Sequence, residues 1–475
     1  MLSTTRHKLH LLLLAVAFSC SIEVAQGAEE SETAKSVPKS IQDIVQMIKA
    51  SATDSKQKNA DMQLIQEKAS PQASAEEQYV LHYLQAQAAD RLGRIDLRIQ
   101  FLKKALEFAK PGTSQEFVTS QELAYSEIQV GNAKSGIDRY QALTQKVPTN
   151  MSGFLIGQNA SLSRAYAQIG DFDQSQKYLR ETEAFLVRLK TSRAYPDYGF
   201  NWNKNYYHTR GELAYQRGQF LEAELSFKTA ISFLESGMEA SEKKFLASGS
   251  GLGVPGTGSG TDTGNPAGRK AALENLYAQL SDTLLKLRKV NEAEYFARES
   301  LKKTLARTGK SSINTSNALR QLAIVMLSRE RNQDALYLLN ESLRGLQEAG
   351  VTGESIQLAL TKKTLASALI ANEEYAKALK VYAELDETAQ TYPETGRFVD
   401  LKTADRVFAL VRTGELAQAE KFALQLVSLN EARTGKTSKE TTQAKLLLAV
   451  TLAEQRKDDA ARTLFATSIH DLIEQ

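Results

Sequence analysis

Apolar positions recur three and four residues apart along most of this chain, the spacing of one buried face of a helix. Ile41, Ile44, Val45 and Ile48 mark a first such segment, and Met62, Leu64 and Ile65 a weaker one within Lys56 to Lys68. From Glu77 on the segments come in pairs, with small and large residues at fixed places. Each pair occupies about 34 to 47 residues, the range of helical repeats. The small position early in each second helix is a ruler: Arg98, Gly136, Ser175, Ala223, Ala293, Ala335, Ala378, Ala419 and Ala461. Its steps are 38, 39, 48, 70, 42, 43, 41 and 42 residues, so the last four are regular. Helices that cross closely admit only Ala, Gly or Ser at the crossing, and one pair alone cannot bury its apolar face, so the copies must stack.

Two steps depart from the period. The step of 70 holds Ser248 to Gly268, with glycines at 249, 251, 253, 256, 258, 260, 264 and 268. As a random coil, 21 residues of this composition span about 25 Å. The excess over one repeat is close to the length of the insert, which favours a loop out of a continuous array over a hinge. The step of 48 holds Tyr195, Tyr198, Phe200, Trp202, Tyr206 and Tyr207, the densest aromatic cluster and the only tryptophan. Exposed aromatics mark binding surfaces; the alternative, which we favour, is an inter-repeat segment packed on its own array.

A string resembling the tail of a phosphate-binding loop, Gly309-Lys310-Ser311, returns as Gly435-Lys436-Thr437, 126 residues on, three periods of 42. A phosphate loop needs a glycine five residues earlier and a preceding strand. Thr304 and Asn430 stand there, and Glu292 to Leu305 is helical by spacing. The string therefore reads as a joint: Gly309 a left-handed cap of one helix, the following Ser or Thr the cap of the next. Gly251-Leu252-Gly253-Val254-Pro255-Gly256 matches the dinucleotide fingerprint in letters only, because no strand precedes it and Pro255 sits where its helix should begin.

The copies resemble the tetratricopeptide repeat at Leu162, Ser163, Tyr166, Gly170, Phe172 and Tyr178, and best at Gly211, Tyr215, Gly218, Phe220, Ala223, Phe227 and Ala230. More divergent copies centre on Gly93 and Gly131. The 42-residue step with an extended joint is similar to the variant found in kinesin light chains and in bacterial arrays that precede CHAT protease domains. The resemblance covers roughly Glu77 to Gln475. It implies an all-α, α-α superhelical solenoid of about nine helix pairs, and a concave groove lined by first-helix side chains: Tyr83, Gln87, Tyr125, Arg164, His208, Glu212 and Tyr215, then Asp282, Lys286, Arg320, Lys363 and Arg412. The second group is the more basic, suited to the carboxylates of an extended peptide.

The N-terminus reads as an export signal. Arg6 and Lys8 precede an apolar run from Leu9 to Ser19 that is too short to span a bilayer, and Ala25-Gln26-Gly27 offers a cleavage site. Cys20, the only cysteine, follows Ala17-Phe18-Ser19 in a setting that resembles a bacterial lipobox; it is either lipidated or lost with the signal. The expected organisation is a signal at 1–27, a tether with weak helices at 28–75, a sub-array at 76–247, a flexible loop at 248–268 and a second sub-array at 269–475.

Composition removes several functions. The 59 basic and 56 acidic residues leave a net charge of +3, so there is no global field for nucleic acid. Beyond the signal no thiol remains for cysteine-protease chemistry, hence no CHAT-type domain, and His82, His208 and His470 have no metal-ligand spacing. The expectation is a non-enzymatic, cofactor-free and metal-free scaffold, exported to the periplasm or secreted, that binds a protein or extended peptide. Membrane contact would come only through a lipid on Cys20. Two alternatives are a glycan- or small-ligand-binding module using Tyr195, Tyr198, Trp202 and Tyr206, and a regulatory subunit of a separate enzyme.

Overall fold

The computed structural model describes residues 40–473 apart from 52–54, 93, 131, 149–150, 249–265 and 354. The export signal, Cys20, the turns at Gly93 and Gly131 and most of the glycine-rich stretch lie outside the described residues.

The described residues are helices and their connections, with no strand among them. Two short helices come first, α1 (Ile41–Ala50) and α2 (Ser55–Leu64). The pairs follow: α3 (Ala75–Arg91) with α4 (Ile95–Phe108), α5 (Ser114–Gln129) with α6 (Ala133–Lys146), α7 (Ser152–Gln168) with α8 (Phe172–Leu189), and α9 (Tyr195–Gln216) with α10 (Phe220–Ser248). Next are α11 (Pro266–Lys286) with α12 (Val290–Thr308), α13 (Ile313–Ser328) with α14 (Asn332–Ala349), and α15 (Ile356–Ala371) with α16 (Tyr375–Thr391). A short α17 (Pro393–Phe398) precedes α18 (Ala404–Thr413) with α19 (Leu416–Thr434) and α20 (Lys439–Glu454) with α21 (Asp458–Ile473). This is an all-α, α-α solenoid of nine helix pairs among the described residues. α10 packs directly on α11, so pairing continues from one side of the glycine-rich stretch to the other.

Two compact units are distinguished. The larger holds residues 37–364 with 388–399, and the smaller 365–387 with 400–475; two boundaries fall inside α15 and α16 and the third between α17 and α18.

Local chemistry sets the helix ends. Ser40 and Ser74 form capping boxes with Asp43 and Glu77 at the starts of α1 and α3. The turn between partner helices places one residue at positive φ: Gly170, Gly218, Arg288, Glu330, Glu373, Gly414 and Arg456. The last five repeat the steps of 42, 43, 41 and 42. Four of them are not glycine and carry the strain of a left-handed backbone.

The joint at Gly309 differs from the expected left-handed cap. Its φ of 70° comes with a ψ of −178°, and Gly435 repeats this at 95° and 164°. This mirror-extended conformation, close to exclusive to glycine, ends the helix and lets the chain run extended into the next. Ser312 then caps α13 through Thr315 N–H at 3.1 Å, and Ser438 caps α20 through Thr441 N–H at 3.2 Å.

Close crossing explains the small residues. A Cβ on Gly136 would stand 2.5 Å from the Ala124 carbonyl oxygen, and one on Gly211 2.7 Å from the Phe227 ring. Ala293, Ala297, Ala323 and Ala335 are fully buried beside Leu280 and Leu322. In the smaller unit Val407, Leu410, Ala419, Ala423, Leu448, Leu452 and Ala461 form the core. There Arg406 pairs with Asp386 at 2.9 Å and lies over the rings of Tyr382 and Phe422.

The aromatic segment is helical rather than a connecting loop: Tyr195 to Tyr207 form the first turns of the long helix α9. Trp202 is 7% exposed and packs on Ile156 and Leu186, tight against Gly153.

Candidate functional site

The first helices of successive pairs wall one polar cavity of about 1270 Å³ in the larger unit. Gln121 and Tyr125 come from α5; Gly157, Ser161 and Arg164 from α7; Lys204, Asn205, His208 and Glu212 from α9. α11 adds Asn275 and Gln279, α13 adds Asn317, Arg320 and Gln321, and α15 adds Gln357. Residues one turn apart on a helix share a face, so each helix presents a short polar stripe to the cavity. Gly309, Ser311 and Ser312 of the joint also line it.

Most charges in the wall are already balanced. Arg98 pairs with Asp90 at 2.6 Å and stands 3.6 Å from Glu122. Glu122 accepts from Tyr83 Oη at 2.8 Å and Gln87 Nε2 at 2.7 Å. Burial pushes the Tyr83 phenol up, reinforced by the Glu122 charge, so it stays a donor. Arg307 grips Glu274 at 2.6 Å. The central network joins three pairs. Arg164 lies 3.4 Å from Glu212, His208 Nε2 donates to Gln279 Oε1 at 2.8 Å, and Gln279 Nε2 donates to Glu212 at 2.8 Å. Burial holds His208 below the usual imidazole range. Burial alone would raise Glu212, but His208, Arg164 and Gln279 more than offset it, and its carboxyl lies below the usual range.

A second cluster is not satisfied internally. Asn317 Oδ1, Arg320 Nε and Gln321 Nε2 are buried atoms without a hydrogen-bond partner. Burial lowers the Arg320 pKa, partly countered by Asp282. Buried polar groups are nearly always paired, so these three atoms, within two turns of α13 on residues that line the cavity, are exceptions.

Of the residues expected in a groove, Tyr125, Arg164, His208, Glu212 and Arg320 line this cavity. Tyr83 and Gln87 sit behind it, holding Glu122. Tyr215 donates to Asp282, and neither faces the cavity. Lys286 is exposed and Lys363 half-buried, both away from the cavity. Arg412 belongs to the smaller unit, where it lies over Tyr375 and Phe408. The cations of the second half are thus not gathered into one basic wall. In the aromatic segment Tyr198 is exposed and stacks on Trp202 at 6.0 Å, while Tyr195 and Tyr206 are half-buried.

Sequence reasoning missed Asn275, Gln279, Asn317 and Gln321. Their signal was present: Asn275 and Asn317 are 42 residues apart, as are Gln279 and Gln321. Asp61 and Glu122 left no such signal, and Arg98 stood in the sequence only as a crossing position of its helix pair. Among the described residues no group of His, Cys, Asp or Glu is placed to hold a metal ion, and no helix is long and apolar enough to cross a membrane.

Residues 79–110, most of α3 and all of its partner α4, match the tetratricopeptide repeat family model. No curated protein gives a significant sequence match. Among solved structures, BtubC (BKLC) from P. vanneervenii is similar at 17% identity, covering 56% of this chain and 91% of that one, with a TM-score of 0.36. A Rap protein complexed with Competence and Sporulation Factor is similar at 11% identity, covering 84% and 98%, with a TM-score of 0.48. Yeast Tom70 is similar at 13% identity, covering 83% and 85%, with a TM-score of 0.36. One helix pair thus matches the tetratricopeptide repeat, and the chain is similar to that family in its successive helix pairs and in a period near 42.

Proposed function

We propose that the larger unit binds an extended peptide, or an extended segment of a protein, in the polar cavity, and that it does so without catalysis. One observation carries the reading: Asn317, Arg320 and Gln321 line one stretch of a cavity most of whose other charges are balanced, and each holds a buried atom without a hydrogen-bond partner. Amide side chains both donate and accept, so Asn275, Asn317 and Gln321 suit the N–H and C=O groups of an extended backbone. Arg320 suits a carboxylate, its guanidinium offering two parallel donors. Loss of one hydrogen bond to a charged group costs about 1.5 to 3 kcal/mol, roughly tenfold or more in affinity.

The test is a fluorescence-anisotropy screen of the whole chain against acidic and neutral peptides of about eight residues. Acidic peptides should bind, and Arg320→Ala and Asn317→Ala should each weaken them at least tenfold. Binding that ignores both substitutions, or no peptide binding at all, would sink the reading.

We further propose that the chain acts outside the cytoplasm. The support is in the sequence: Arg6 and Lys8, the apolar run to Ser19 and the small residues before Ala28. Mass spectrometry of the mature N-terminus decides among an unmodified start at Ala28, a lipidated start at Cys20, and an uncleaved chain that would refute export by this signal.

A further inference from the structure

The cavity is bounded on one side by the chain's own N-terminal helices. Ser51, Lys58 and Asp61, between α1 and the middle of α2, belong to its wall. The segment is tied down at both ends of the larger unit. Arg298 on α12 donates to the Ser40 carbonyl at 3.3 Å, and Lys58 Nζ donates to the Glu348 carbonyl near the end of α14. At the other end Arg91 on α3 pairs with Asp61 at 2.6 Å, and Gln85 donates to the carbonyls of Leu64 and Glu67 at 3.0 and 2.8 Å. Contacts separated by 258 and 290 residues in sequence and by about 20 to 30 residues thus hold one short segment.

The composition of that segment is that of a removable element. α1 buries Ile44 and Ile48, while Gln42, Asp43, Gln46 and Lys49 stay exposed. A ten-residue helix is marginal by itself and takes its stability from packing. Its anchors to α12 and α14 are hydrogen bonds to backbone carbonyls. The donors are one guanidinium and one ammonium, and α1 adds the two buried side chains of Ile44 and Ile48. Such a segment opens at a lower cost than the repeats it spans.

We infer that residues 40–51 and 55–67 form a strap across the polar cavity, an intramolecular occupant that must move before a chain of any length can lie along it. The strap competes with ligand for one surface, so its release raises affinity by the fraction of open molecules it liberates. This rests on the cavity being a binding site only for its biological meaning; the strap itself is tested without ligand.

Gly157 lines the cavity, and a Cβ there meets nothing within 4 Å, so Gly157→Cys places a thiol in open space. In a Cys20→Ser full-length chain this thiol is titrated with a bulky maleimide and, in parallel, with iodoacetamide. Adding Ile44→Asp and Ile48→Asp should speed maleimide modification at least tenfold and leave the iodoacetamide rate within about twofold. Hydrogen exchange in α1 should rise with it while α5 and α7 stay protected. If circular dichroism shows that the double aspartate chain does not fold, Arg298→Ala with Lys58→Ala removes the anchors without placing charge in an apolar contact. An unchanged maleimide rate in a folded strap variant overturns the inference. Failure of the peptide screen with success here would discard the ligand and keep the strap.

Discussion

Thr315 Oγ1 donates to the Gly309 carbonyl at 2.6 Å, and Thr441 Oγ1 donates to the Gly435 carbonyl at 2.7 Å. The two bonds are the same bond in two copies of one joint, three repeats apart. They turn a string that imitates phosphate chemistry into a fixed passage between helices. Gly309→Ala should destabilise the chain by about 1 to 3 kcal/mol, the cost of holding a side chain in a region that favours glycine. Thermal unfolding should show this at Gly309 and again at Gly435, and titration of the parent chain with ATP should leave its melting temperature unchanged.

The turn positions make a prediction of opposite sign. Glu330 and Glu373 sit at φ of 58° and 61° where other copies have Gly218 and Gly414. Left-handed backbone costs a non-glycine residue about 1 to 2 kcal/mol, and glycine's greater freedom in the unfolded chain returns about 0.5 to 1 kcal/mol of that. Glu330→Gly and Glu373→Gly should therefore raise stability by up to about 1 kcal/mol, whereas Gly218→Ala should lower it by about as much. Urea midpoints of the three variants check the signs together.

Trp202 and Tyr198 separate packing from surface. Trp202 is buried against Ile156 and Leu186, and Tyr198 is 58% exposed. Trp202→Ala should cost about 3 to 5 kcal/mol, and Tyr198→Ala within about 0.5 kcal/mol. Comparable losses at the two positions in thermal melts would contradict the burial.

Acid should weaken the central network. His208 and Glu212 both have folded pKa values below their ordinary 6.5 and 4.5. Between the folded and ordinary values the unfolded chain binds more protons, so stability rises with pH there. The His208 contribution is complete above about pH 6.5 and declines as pH falls; that of Glu212 is complete above about 4.5 and is lost on further acidification. His208→Gln should flatten the dependence of the urea midpoint on pH between 7 and 5, and Glu212→Gln should flatten it below 5.

Helix pairing, the period and the joint were legible in residues such as Ala293, Ala335, Gly309 and Ser312, because each acts on neighbours in its own pair or the next. A period of 42 repeated in sequence is repeated in space, and Asn275 with Asn317 shows that even part of the cavity wall obeys it. What tertiary structure alone decided is which charges remain open. Lys286 and Arg412 looked like companions of Arg320, yet only Arg320 faces the cavity, with a buried Nε that nothing satisfies. The strap was beyond sequence reasoning for the same reason. Arg298 reaches Ser40 and Lys58 reaches Glu348, and no local pattern records such pairs. Helix periodicity depends on residues three and four apart, whereas the pairing of buried charge depends on what the stacked repeats bring within hydrogen-bond reach.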